Sequence, residues 1–184
     1  MAEAPGGLEV VRRFVNTRNV EDGTDDLADV DGLTAFCREH GLAQDGEMAE
    51  MAEMDRDRAV RLREALRGVL VIHDGGPPDP EAVADLNRLA VDAPLVTRLD
   101  DDAAVTLVPA AGGGGAVLAR LLALVHGAEV DGTFARLKVC PADDCLWAFY
   151  DQSRNRSRTW CSMEVCGNRA KVRAYRGRSR EARA

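Results

Sequence analysis

Four of the chain's five cysteines come as two matched pairs, Cys140 with Cys145 and Cys161 with Cys166, in the pattern C-x4-C-x15-C-x4-C. Two close pairs on a medium spacer suit a tetrahedral thiolate site. Each pair supplies two ligands from one turn, and the spacer lets the turns face each other. Zinc fits best, being redox-inert and content with four sulfurs. Four protein ligands leave no coordination position for water, so the expected cofactor is one structural zinc ion (Zn2+), whose binding would supply much of the folding energy of so short a segment. Two disulfides would need an oxidising compartment that the sequence does not indicate. Redox-active pairs are usually C-x-x-C in a thioredoxin-like setting, which is missing here.

The same end of the chain is basic. From Phe134 onward there are 12 Lys and Arg against 5 Asp and Glu, whereas the residues before it hold 12 basic and 26 acidic side chains. A balance of +7 behind one of −14 reads as two functional parts, of which the tail is the one able to meet a polyanion. Arg169, Arg173, Arg176 and Arg180 follow helical spacing and form one positive stripe, with Lys171 and Arg178 beside it. Arg154, Arg156 and Arg158 add charge from the loop between the cysteine pairs. Arginine dominates over lysine, which suits bidentate phosphate or guanine contacts.

The elements that must position these residues can be read in outline. Leu8, Val11, Phe14 and Val15 mark a first short helix. The acidic, turn-rich "VEDGTDDLADVDG" connects it to a second, with Asp31 as expected N-cap, Leu33, Phe36 and Cys37 on one face, and Gly41 as stop. The strongest helical pattern runs from Gly46 to about Ile72; Asp79 and Pro80 then open a helix to about Val91. Leu95–Leu99 and Ala104–Val108 flank an Asp-rich turn and predict a hairpin, and an apolar helix follows the "GGGG" run. In the tail, Asn168 is the expected N-cap of a helix to about Arg178, with Val165, Val172 and Tyr175 packing back near Trp147 and Trp160.

Other chemistry finds little support. Gly112 to Gly115 lack the Lys-Ser/Thr of a phosphate loop and the G-x-G-x-x-G spacing, so they read as a flexible connection. His40, His73 and His126 each precede a glycine at expected helix ends and have no ligand partner at metal spacing. Cys37 reads as a buried small hydrophobe. No catalytic arrangement stands out, and the chain is not expected to be an enzyme. No apolar run of membrane-spanning length and no signal peptide is visible, so no membrane partner and a cytoplasmic address are expected.

"CPADDC", "FYDQSRNRSRTWC" and "CSMEVCGNRAKVRAYR" closely resemble the CGNR zinc finger, over residues 136 to about 178. The shared features are the paired cysteines, an aromatic-Asp-x-Ser segment, Trp before the third cysteine, and Cys166-Gly167-Asn168-Arg169 opening a basic helix. Upstream, "RRFVNTRN" resembles the opening of the ABATE domain that usually accompanies this finger. The resemblance implies membership of a family regarded as stress-related bacterial transcription regulators. Where members commonly carry two arginines before Trp-Cys, this chain has Arg158-Thr159, which leaves one phosphate contact of the pattern unfilled.

The expected fold is α-rich (α+β). A mainly helical domain with one hairpin spans residues 8–132, and a small zinc-ribbon and helix module spans 134–180, each folding on its own. The expected function is DNA binding through the basic helix and loop, with a sensing or association role for the N-terminal domain. The alternative is an interaction protein, or a zinc-thiolate redox switch, whose basic tail docks on its own acidic domain or on another protein.

Overall fold

In a computed structural model, residues 2–110 and 112–181 are described, with side chains to residue 176. Helix α1 (Leu8–Val15) buries Leu8, Val11, Phe14 and Val15, the face its spacing dictates. The acidic connection holds a small antiparallel pair, β1 (Arg18–Asn19) and β2 (Thr24–Asp25). Helix α2 (Val30–Glu39) starts slightly earlier than expected. Asp29, in extended conformation, accepts from Gly32 N–H at 2.9 Å and is the N-cap; Asp31 lies inside the first turn. Gly41, at φ 62°, ends the helix as expected, with Leu42 N–H reaching back to Cys37 O at 2.9 Å.

The long helix expected from Gly46 is broken in two, α3 (Asp45–Ala49) and α4 (Glu53–His73). Each start is made by a carboxylate folding back: Glu47 accepts from Gln44 N–H at 2.9 Å and Asp55 from Ala52 N–H at 3.0 Å. Glu47 also grips Arg120, which in turn donates to Leu42 O at 2.7 Å. A contact 73 positions away thus ties the first turn of α3 to Arg120. Helix α5 (Pro80–Val91) is capped by Asp79 with Pro80 in its first turn. Strands β3 (Leu95–Leu99) and β4 (Val105–Pro109) pair antiparallel, Thr97 opposite Leu107.

Helix α6 (Gly113–Val130) is the central element, burying Val117, Leu118 and Leu121 against α1 and α4. The glycine run is not a flexible connection ahead of this helix, as expected, but opens it: Gly112 is the N-cap and Gly113–Gly115 lie in the first turn, and two members answer to geometry. Gly113 has φ 68°, and a Cβ on Gly114 would collide with the Asp55 carboxylate. At 18 residues and a mean hydropathy of 1.2, α6 matches a membrane span in length and apolarity, contrary to the expectation that no run reaches that length. Its burial by α1 and α4 accounts for that composition. The helix continues past His126, which therefore does not sit at a helix end.

The last layer is an antiparallel ribbon, β5 (Leu137–Val139) and β6 (Ala148–Tyr150), with Lys138 opposite Phe149. Because side chains alternate across a strand, the ribbon has two buried faces. Leu137, Val139, Ala148 and Tyr150 join the core of the helical domain. Phe149 points the other way, into a second cluster with Cys140, Ala142, Cys145 and Cys166. The core therefore runs across residues 132–136 without interruption, and the ribbon of the second part packs as a layer of the first. Polar bonds reinforce the join. Asn16 pairs with Ala148 through both its amide groups, at 2.9 and 2.7 Å, as a strand would. Arg67 donates to Val15 O and Leu146 O at 2.7 and 2.6 Å, and His73 Nδ1 lies 2.8 Å from Leu137 O.

Candidate metal centre and its basic surroundings

The first cysteine turn grows out of the ribbon. Cys140 follows β5 and pairs its N–H with Trp147 O at 2.9 Å; between them Cys145 N–H bonds Ala142 O at 2.9 Å. Leu146, at φ 52°, completes the reversal. The second turn is a single π-helical turn, Met163–Gly167, capped by Ser162, whose Oγ accepts from Val165 N–H at 3.3 Å. It runs directly into α7 (Asn168–Glu181). Asn168 is already helical and donates to Glu164 O at 3.0 Å, so the cap lies earlier than expected, at Ser162 before the π-helical turn. Gly167 lies under the Met163 side chain, whose Sδ a Cβ would meet at 2.6 Å and push aside.

These turns bring Cys140, Cys145, Cys161 and Cys166 together with all four sulfurs within 4.8 Å of one another. Cys145 and Cys161 are 3.5 Å apart and Cys161 and Cys166 3.7 Å. Those separations are far beyond a disulfide bond. They match the edge of about 3.8 Å expected of a tetrahedron with Zn–S near 2.3 Å. Cys140, Cys145 and Cys166 are buried and Cys161 is half-buried. Protonation of the metal-free set follows the geometry. A hydrogen bond from the Cys161 thiol, helped by backbone N–H groups of Cys161 and Ala142, brings Cys140 down to about 5. Burial pushes Cys145 up to about 12. Cys161 is raised by its bond to Cys140 and by burial. A divalent cation with tetrahedral preference takes the place of those protons. The group fits, and the site holds one structural zinc. Cys37 is separate, fully buried and pushed up to about 12 by that burial.

The basic residues divide by surroundings. Arg158 donates to Trp160 O at 2.9 Å and to Cys161 O, and its guanidinium lies 5.0 Å from the Phe149 ring centre, so it braces the second turn. Arg169 bonds the Cys166 sulfur and pairs with Glu21 and Asp144; Arg173 shares Asp144 at 3.4 Å. Arg154, Arg156, Lys171 and Arg176 are exposed. Arg178 lies outside the residues whose side chains are described. Val172 and Tyr175 are 47% and 67% exposed, contrary to the expected packing on the ribbon, whose outer face is taken by the cysteine cluster. Only Val165 shares a cleft with Trp147.

Sequence reasoning missed Lys138 and Asp151. Lys138 Nζ meets Asp151 at 3.0 Å, Asp74 at 3.2 Å, and the carbonyls of Arg156 and Arg158 at 2.7 and 3.0 Å. Burial alone would raise the Asp151 carboxyl, but bonds from Ser153, Lys138 and Arg158 N–H hold it at about 2. The cluster fixes the loop that carries Arg154 and Arg156. Its sequence signal is a lone charge between Leu137 and Val139 in an apolar strand.

The ribbon, the paired turns and the thiolate site define a CGNR zinc finger, and the model of that family matches residues 136–179. A second family model, ABATE, described as "Putative stress-induced transcription regulator", matches residues 8–131. The chain belongs to the ABATE family and carries a CGNR zinc finger behind that domain. A search among curated proteins found no match.

Proposed function

We propose that the protein is a cytoplasmic, DNA-binding transcription regulator without catalytic activity, in which the zinc finger presents α7 and the 154–158 loop to a duplex and the helical domain senses or associates. The observation that carries this reading is the exposed set Arg154, Arg156, Lys171, Arg173 and Arg176, on a loop and on a helix whose side chains from 171 to 176 lie in solvent. A free helix of this width suits a major groove, and loop arginines beside it suit phosphates. The Arg173–Asp144 pair is half exposed on both sides. Such pairs are weak, so Arg173 remains available to phosphate.

The test is a binding titration of zinc-loaded full-length protein on genomic fragments at several salt concentrations. Replacing Arg154, Arg156, Lys171 and Arg176 together by Ala should weaken binding and lower the salt slope by about 0.9 for each phosphate no longer neutralised. Zinc content should stay at one per chain, since none of the four touches a sulfur. A protein-facing tail is the second reading, favoured by the ion pairs from Arg169 to Glu21 and Asp144. It requires that full-length protein ignore DNA at physiological salt, and that outcome would replace the first reading.

A further inference from the structure

Arg169 belongs by spacing to the arginine stripe, yet its guanidinium is turned toward the metal centre. Nη2 donates to Cys166 Sγ at 3.4 Å. Nη1 lies 3.1 Å from Glu21 and 3.3 Å from Asp144. Nε is buried with no partner among the described residues. Asp144 precedes Cys145 in the first turn, and Glu21 lies between β1 and β2 of the helical domain. One planar group therefore meets both cysteine turns and the N-terminal domain.

We infer that Arg169 is a positioning residue of the zinc site, and that through Glu21 it couples metal retention to the helical domain. With zinc bound, Cys166 is a thiolate ligand, and an N–H aimed at its sulfur holds its orientation and offsets its charge. Groups of this kind typically alter metal affinity by roughly 10–100-fold. The fork of the guanidinium matters, because a lysine ammonium cannot span sulfur and two carboxylates in fixed directions. Coupling is reciprocal. Separating Glu21 from Arg169 loosens the grip on Cys166, and zinc loading draws the β1–β2 turn onto the finger. This inference rests on the zinc site alone and is independent of DNA binding.

The experiment follows transfer of zinc from the loaded full-length chain to an excess of chromogenic chelator. Arg169→Lys should release zinc roughly tenfold faster or more, and in the cobalt-substituted protein its thiolate-to-metal band should shift. Glu21→Gln should also speed release, although Glu21 touches no sulfur. The double variant should be no faster than Arg169→Lys, since Glu21 acts through Arg169. Wild-type release from Glu21→Gln, or effects that multiply in the double variant, would overturn the coupling. Should Arg169→Lys fail to load zinc, Glu21→Gln decides alone: faster release supports the inference, and unchanged release refutes it.

Discussion

Lys138 is an ammonium group at 3% exposure, ringed by two carboxylates and two carbonyls. Removing one partner from a buried charged cluster typically costs about 3–5 kcal/mol, because the others are left desolvated and unpaired. Lys138→Met is therefore expected to lower the thermal midpoint of the zinc-loaded chain by on the order of 10 °C. A drop of one or two degrees would show that water reaches the cluster. Glu9 carries a pH dependence of definite sign. Burial alone would raise its carboxyl, but bonds from Arg12, Ala4 N–H and Arg13 hold it at about 2, against 4.5 when free. The folded chain then binds this proton less readily than the unfolded one. The contribution is complete above pH 4.5 and is lost as pH falls toward 2. Glu9→Gln should lie below wild type in chemical stability at neutral pH, and the gap should close across that window. A gap that stays constant would assign the stabilisation to packing instead.

At the scale of elements, α7 depends on the turn before it, and that turn depends on two of the four thiolates. Cys161→Ser should lose zinc and the helical signal of the 14 residues of α7, leaving α1, α4 and α6 folded. The ribbon stays because Asn16 and Arg67 hold it from the other side. Circular dichroism and elemental analysis read both outcomes, and collapse of the whole helical signal would contradict the assignment. What the sequence made legible follows the same division. Helices α1 and α5, the β3–β4 hairpin and the cysteine turns are specified by periodicity, caps and spacing within a few residues. The α3–α4 break was missed because the run reads as one continuous helical pattern, whereas Asp55 turns back to the Ala52 N–H and starts α4 afresh. The Ser162 cap was hidden because a π turn places Asn168 inside the helix it was expected to begin. The double-faced ribbon was partly visible in Leu137-Lys138-Val139, whose alternation gives the facing pattern but not what each face meets.

At the scale of the molecule, the two family matches meet between residues 131 and 136, but the packing does not divide there. A chain ended after Gly132 would leave Leu70, Val15 and their neighbours without Leu137, Val139, Ala148 and Tyr150. It would also strip Asn16 and Arg67 of their acceptors at Ala148 and Leu146. Such a fragment is expected to aggregate or to melt without a cooperative transition, as judged by light scattering and calorimetry. A soluble fragment with a sharp transition would show that the ribbon is dispensable to the helices.

The Asn16–Ala148 pairing also sets an order of events during synthesis. The amide and its backbone partner are 132 positions apart, an interval of on the order of ten seconds at ordinary rates of chain elongation. For that time α1 has emerged from the ribosome with its closing strand not yet made. Helices α4 and α6 can cover its apolar stripe as they emerge, but the Asn16 amide stays without its backbone partner until β6 arrives and ties the beginning of the protein to its end.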